Sequence, residues 1–93
     1  MILSFQNEAT RCIWQGEFTR KLPNQIQAVA RRKLRMLNNA RTLDDLRIPP
    51  NNRLEALKGD RAGQHSIRIN DKWRVCFVWN GSNAEGVEIY DYH

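Results

Sequence analysis

The sequence is poor in cysteine, in histidine and in long apolar runs. Only Cys12 and Cys76 are present, far apart. A disulfide-stapled secreted domain of this size usually shows about four or more cysteines at close spacing, so both read as free thiols. The longest uninterrupted apolar stretch, Val75 to Trp79, has five residues, against the roughly 20 that a membrane span needs. No membrane association is expected. Met1 to Gln6 has neither a basic n-region nor the apolar run of about 7 to 15 residues of a secretory signal, and a cytoplasmic address is expected. The histidines, His65 and His93, have no cysteine or second histidine at ligand spacing, so neither a metal nor a cofactor is expected. A length of 93 residues falls below the roughly 100 to 150 of a typical domain, which leaves room for one domain over 1–93 and for no large cofactor-binding architecture.

What is present is positive charge. Fifteen Lys and Arg stand against ten Asp and Glu, for a net charge of +5 and a pI near 9.8, which favours an anionic partner such as nucleic acid. Residues 1–40 hold seven basic and two acidic side chains, whereas residues 41–93 hold eight of each, so the excess lies in the first half. Within it, Asn24 to Ala40 is predicted to be a helix opened by Pro23 at a first helical position. Ile26, Val29, Ala30, Leu34 and Leu37 share one stripe, and Arg31, Arg32 and Arg35 fall on the opposite face. Lys33 lies near the apolar edge, with its ammonium expected to reach water. A shorter helix is expected around Asn7 to Trp14, after a short strand at Ile2 to Phe5.

Ile48-Pro49-Pro50-Asn51-Asn52 interrupts any helix or central strand. Beyond it the pattern turns to strands: Ser66 to Ile69 alternates, Trp73 to Trp79 is β-branched and aromatic, and Val87 to Tyr92 alternates again. Asn70-Asp71 and Asn80-Gly81-Ser82-Asn83 supply hairpin turns. Helices first and strands grouped after predict an α+β fold, with N-terminal helices packed on a small antiparallel sheet.

Three places could carry chemistry. Alternation puts Trp73, Val75, Phe77 and Trp79 on one strand face and Arg74, Cys76 and Val78 on the other. A guanidinium on an apolar face needs a partner. Arg74 is therefore either half of a salt bridge, with Asp91 the candidate, or a phosphate clamp suited by its planar fork. Lys58-Gly59-Asp60-Arg61-Ala62-Gly63 reads either as a basic turn or as a surface for a phosphodiester chain, its glycines allowing close backbone approach; it lacks the P-loop pattern. The ending Asp91-Tyr92-His93 gathers an acid, a phenol and an imidazole at a strand end, either frayed or fit for acid–base work. His65 forms no triad and reads as structural.

Asn52 to Asn70, then Trp73-Arg74-Val75-Cys76-Phe77, and the terminal Asp91-Tyr92-His93 resemble the HigB-type toxins of the RelE/ParE superfamily of bacterial toxin–antitoxin systems. The likeness extends over nearly the whole chain, from its Met-Ile-x-Ser-Phe opening. It implies a RelE-like, microbial-ribonuclease-like α+β domain that cleaves mRNA in the A site of the 70S ribosome without metal, through a 2′,3′-cyclic phosphate. It also implies neutralisation by a cognate helix-turn-helix antitoxin of the HigA type, in a complex that binds operator DNA.

The resemblance carries over the motif lysine to Lys58, the strand arginine to Arg74, and the terminal acid, tyrosine and histidine to Asp91, Tyr92 and His93. Some members have a histidine three positions before that lysine where this chain has Glu55, so the base role falls to Glu55, or else to His93 or Asp91. On this reading Lys58 and Arg74 offset phosphate charge, Tyr92 stacks a base or holds His93, and Arg61 and Arg68 track the RNA backbone. The Arg31, Arg32 and Arg35 face is either a solvated helix face or a contact for ribosomal RNA or antitoxin. Two other functions fit the fold or the charge: a ParE-like poison of DNA gyrase, and a basic nucleic-acid-binding module without catalysis. The first has no need of the lysine, arginine and terminal histidine together, and the second leaves the terminal triplet unexplained.

Overall fold

A computed structural model of the chain describes residues 1–91. Two helices, α1 (Glu8–Trp14) and α2 (Asn24–Asn39), precede four strands: β1 (Glu55–Ala56), β2 (His65–Arg68), β3 (Trp73–Asn80) and β4 (Asn83–Asp91). The strands form an antiparallel sheet in the order β1-β2-β3-β4, and the helices cover one of its faces, as the helices-then-strands pattern predicts. Between α2 and β1 the chain runs through two short 3-10 helices, Leu43–Arg47 and Pro50–Asn52.

Each helix follows from its sequence. Asn7 caps α1 by accepting from the Thr10 amide at 2.9 Å, which satisfies one of the amides a helix start leaves unpaired. In α2 the stripe of Ile26, Ala30, Leu34 and Leu37 is buried and meets Ile67, Val75, Phe77, Val87 and Ile89 from the sheet in one core. Trp73 and Trp79 pack partly buried against that core, so the aromatic face of β3 is the helix-covered one.

Several expectations are corrected here. Pro23 stands just outside α2, at the N-cap, rather than at its first helical position. Lys33 does not reach water: it is 6% exposed, and its Nζ donates to Asn52 Oδ1 at 2.5 Å. Arg31 does not belong to a free basic face. Its Nε donates to the Ile13 carbonyl at 2.9 Å and a terminal nitrogen to the Glu17 carbonyl at 3.2 Å, so it ties α2 to the last turn of α1 and to the segment that follows it, a helix end being where a cation is favoured. Arg32 and Arg35 remain exposed.

The N-terminal segment forms no independent strand. It lies parallel to β4 through bridges at Ile2–Ala84 and Phe5–Val87. Between them a bulge interrupts β4: Cys76 pairs with Glu88 but Val78 with Glu85, so β4 carries one residue more than β3 there. Gly86 supplies the left-handed conformation at φ +57°, and its amide donates to Ser4 Oγ at 2.8 Å. The extra residue lets both Ala84 and Val87, an odd spacing apart, point into the core at 0% exposure, and turns Glu85 and Glu88 to the other face.

Candidate active site

The face of the sheet away from the helices holds the chemistry. Register places Glu55 opposite Ser66, Ser66 opposite Cys76, Cys76 opposite Glu88, and Arg74 between Arg68 and Tyr90. Directly opposed residues share a face, so Glu55, Ser66, Arg68, Arg74, Cys76, Glu88 and Tyr90 stand on one side. The loop 57–64 folds over part of it. Glu55, Ala56, Leu57, Lys58, Asp60, Arg61 and Tyr90 then line an open cleft of about 810 Å³, large enough for a nucleotide.

Arg74 is 8% exposed. Its Nε donates to Ser66 Oγ at 2.7 Å and a terminal nitrogen to the Arg53 carbonyl at 2.7 Å. Arg53 adopts a left-handed φ of 45°, a conformation costing an unbranched L-residue about 1 to 2 kcal/mol, and it turns the chain from the Pro50–Asn52 helix towards β1. Asp91, the salt-bridge partner considered from sequence, stands opposite Trp73, on the helix side of the pleat. Its carboxylate lies 3.5 Å from Lys72 Nζ. The neutral acceptors Ser66 and Arg53 thus hold Arg74, and alternation places Asp91 on the far face.

Arg61 is held rather than free. A terminal nitrogen lies 3.1 Å from Glu88 Oε1 and 3.1 Å from Gln64 Oε1, and the guanidinium carbon sits 3.8 Å from the centre of the Tyr90 ring, a cation–π arrangement. Burial, the largest single influence, opposes its charge, but the Glu88 carboxylate together with Cys76 and Tyr90 raises the guanidinium above its ordinary value. Lys58 is exposed at the start of the turn Gly59–Arg61. Gly59 and Gly63 have φ of +65° and +93°, so this loop needs glycine for its backbone conformation. Arg68 is paired with Asp71 at 2.5 Å.

Cys76 lies among these groups. Burial above all pushes its thiol up to about 11; Arg61 and Arg74 pull it down while Glu88 and Glu55 push it up. Two guanidiniums and two carboxylates therefore converge around one inert sulfur. His65 is on the opposite, core-facing pleat, stacked on Phe77 at 6.4 Å. Tyr92 and His93 lie outside the described residues. Among the described residues no group of three or more His, Cys, Asp or Glu side chains is placed to hold a metal, and no helix is long and apolar enough to cross a membrane.

Sequence reasoning missed Ser66, Glu88 and Tyr90. The signal for Tyr90 was available, since period-two alternation separates it from Asp91. What was missing was the register that sets Tyr90 against Arg74.

The chain has relatives among known proteins. Residues 3–93 match the family model of the HigB-like toxins, described as the RelE-like toxin of type II toxin–antitoxin system HigB. The chain is 36% identical over 93 residues to Toxin HigB-1 of Vibrio cholerae, covering 99% of this chain and 94% of that one. It is 28% identical over 93 residues to Endoribonuclease HigB of Proteus vulgaris, covering both chains fully. Among solved structures it resembles a YoeB/ParE toxin from Agrobacterium tumefaciens, with a TM-score of 0.56 at 18% identity over 99% of this chain and 98% of the other, a likeness of fold. From the near-complete family match and the 36% relative, the chain belongs to the HigB-like family, the RelE-like toxins of type II toxin–antitoxin systems.

Proposed function

We propose that this toxin is a metal-independent endoribonuclease that cuts mRNA on the ribosome. The observation that carries the reading is the cleft itself, where a carboxylate, Glu55, and an exposed cation, Lys58, share one opening on the sheet face that also bears Arg74. The Proteus vulgaris relative is named an endoribonuclease, which supports the same class.

The reaction needs two proton transfers and compensation of charge on phosphorus. In our reading Glu55 takes the proton of the 2′-OH, and the 2′-oxygen forms a new bond to phosphorus. The bond from phosphorus to the 5′-oxygen breaks, and His93 protonates that leaving oxygen, giving a 2′,3′-cyclic phosphate and a 5′-hydroxyl. Lys58 and Arg74 offset the charge that builds on the phosphoryl oxygens, commonly the largest catalytic contribution. Arg74 suits this role because Ser66 Oγ and the Arg53 carbonyl fix the orientation of its planar, always-charged fork. Asp91, on the other face, is the less suitable base. Tyr92 stacks or steadies the substrate, and Tyr90, its ring backed by Arg61, offers a second stacking surface. With Arg61 tied to Glu88 and Arg68 to Asp71, both arginines are engaged within the protein rather than tracking a phosphate chain, and Arg61 forms part of the cleft wall.

An open cleft with few catalytic groups gains from a ribosome that holds the message in a reactive geometry. Membership in a toxin–antitoxin family implies an antitoxin partner. We assign it the HigA helix-turn-helix type in an operator-binding complex, with exposed Arg32 and Arg35 available to the antitoxin or to ribosomal RNA. Incubation with naked mRNA and with the same message on ribosomes, followed by identification of the 3′ end, tests the proposal. Ribosome-bound message should be cut at least about 10²-fold faster, with cyclic-phosphate ends. Equal cutting of both, or gyrase inhibition without RNA cleavage, overturns it.

A further inference from the structure

Lys33 is the most conspicuous charge that the proposed reaction does not use. It is 6% exposed, and burial, followed by the neighbouring charges of Arg32 and Arg68, lowers its pKa from the ordinary lysine value. A buried ammonium is costly unless it is well paired, and Lys33 meets a neutral amide, Asn52 Oδ1, at 2.5 Å. Asn52 is fully buried. Its Nδ2 donates to the Leu46 carbonyl at 3.1 Å and lies 3.0 Å from Met36 Sδ, so one side chain ties the Pro50–Asn52 turn to α2 and to the preceding 3-10 helix. The next residue is Arg53, whose left-handed backbone presents the carbonyl that receives Arg74 at 2.7 Å. Strained residues persist where their surroundings over-determine them, and the Lys33–Asn52 bond is part of what does so here.

We infer that Lys33 is a positioning residue for catalysis: through Asn52 it fixes the Arg53 carbonyl that orients the Arg74 guanidinium. This rests on the reading of Arg74 as a phosphate clamp. A purely structural anchor has cheaper solutions, because a methionine fills the same volume without burying a charge. The donor end of the lysine serves the position of Asn52, and Arg53 with Arg74 is what lies downstream of it.

The test compares Lys33→Met, Arg74→Lys and the double variant in ribosome-bound cleavage, with thermal unfolding as the control for folding. Lys33→Met keeps an unbranched apolar stem and removes the donor. It should lower kcat about tenfold with KM within about twofold, and the double variant should be no slower than Arg74→Lys alone, since coupled residues are non-additive. Exchange of the Arg74 Nε hydrogen, followed by NMR, reads the relay without any cleavage assay. In Lys33→Met it should speed up by more than the exchange of the Val75 amide in the core. Met36→Leu, a volume-conserving change expected to fold, removes only the sulfur contact of Asn52 and should lower kcat about twofold.

Wild-type kcat in both folded variants, unchanged protection of the Arg74 hydrogen, or additive losses in the double variant overturn the inference. Full activity in Arg74→Lys instead overturns the clamp beneath it.

Discussion

The amide of Ile89 donates to the hydroxyl of Thr10 at 2.9 Å in the buried interface between α1 and β4. The N-terminal segment pairs with β4 only as far as Val87, so the next inward-facing residue of the strand would present an unpaired amide on that edge. Thr10 supplies the missing acceptor and locks to α1 the strand that carries Glu88 and Tyr90.

Thr10→Val keeps the shape and removes the acceptor. It should cost about 1 to 3 kcal/mol, the penalty for a buried donor left unpaired. Each kcal/mol lowers the Tm of a domain this small by roughly 4 to 8 °C. Thr10→Ser, which keeps the hydroxyl, should recover most of the loss. A valine variant at the wild-type Tm beside a destabilised serine variant would show that the methyl, not the hydrogen bond, matters.

Much of this architecture is legible in the chain, and the unread parts share a cause. Period 3.6 in Ile26, Ala30, Leu34 and Leu37 and period 2 in Trp73 to Trp79 identify which faces are buried, because both are local repeats. The bulge at Gly86 changes no local pattern; it shows only when β4 is laid against β3. Lys33 and Arg31 look like surface cations because their partners, Asn52 and the Ile13 carbonyl, come from distant segments. The same holds for Arg61, whose partner Glu88 lies on another strand. Local sequence gives Arg74 an apolar strand face and hence a need for a partner, but the choice of Ser66 and Arg53 over Asp91 depends on pairing register and on a left-handed turn.

Removing the Arg74 guanidinium should separate stability from chemistry. Arg74→Ala leaves Ser66 Oγ and the Arg53 carbonyl without their donor in a buried place, at about 1 to 3 kcal/mol for each unpaired group. Arg74→Lys restores a charge but not the two-point hold, so it should remain folded by circular dichroism while cleavage falls roughly 10²-fold. Wild-type cleavage by a folded Arg74→Lys protein would remove Arg74 from the mechanism.

The two thiols should behave differently. Cys76 is 1% exposed and its thiol stands near 11, up from 9.0, so it is protonated at neutral pH and shielded. Iodoacetamide at pH 8 should therefore modify the native protein at Cys12 alone and the unfolded protein at both. Because the folded value is raised, the unfolded state loses this proton first. The contribution of Cys76 to stability is complete below pH 9 and declines as pH rises from about 9 towards 11. Lys33 acts in the opposite sense, its penalty easing as pH rises towards the unfolded lysine value of 10.5. The difference between wild type and Cys76→Ala in urea melts from pH 8 to pH 11 isolates the thiol, and a difference constant with pH would contradict the assignment.

Holding Arg61 over Tyr90 should matter to the substrate as well as to the fold. Arg61→Ala frees the ring and leaves Glu88, a carboxylate that repels phosphate, unneutralised at the cleft. Glu88→Gln keeps a hydrogen-bond acceptor for Arg61 and removes the negative charge. The first should raise KM for ribosome-bound message about tenfold, whereas the second should leave KM unchanged or lower it. The pair's side chains are only 28% and 22% exposed, so Arg61→Ala, which strands a largely buried carboxylate, should lower Tm more than Glu88→Gln, which leaves Arg61 an acceptor. A rise in KM of equal size in the two variants would mean that the pair acts as a structural brace.

The division of acid and base duty can be settled by changing the leaving group. A 5′-bridging thiolate leaves without protonation, so a substrate carrying sulfur at that position makes the general acid dispensable and the base still necessary. If Glu55 is the base, Glu55→Gln should lose about 10² to 10⁴ of its rate on both the natural and the thio substrate, because the 2′-OH proton must still go somewhere. If His93 is the acid, a chain ending at Tyr92 should lose a similar factor on the natural message and recover on the thio substrate. The opposite pattern, with rescue of Glu55→Gln and not of the shortened chain, would exchange the two roles. A shortened chain that cuts the natural message at the wild-type rate would leave His93 outside the mechanism, and Lys58 and Tyr90, which share the cleft with Glu55, would be the next acids to test.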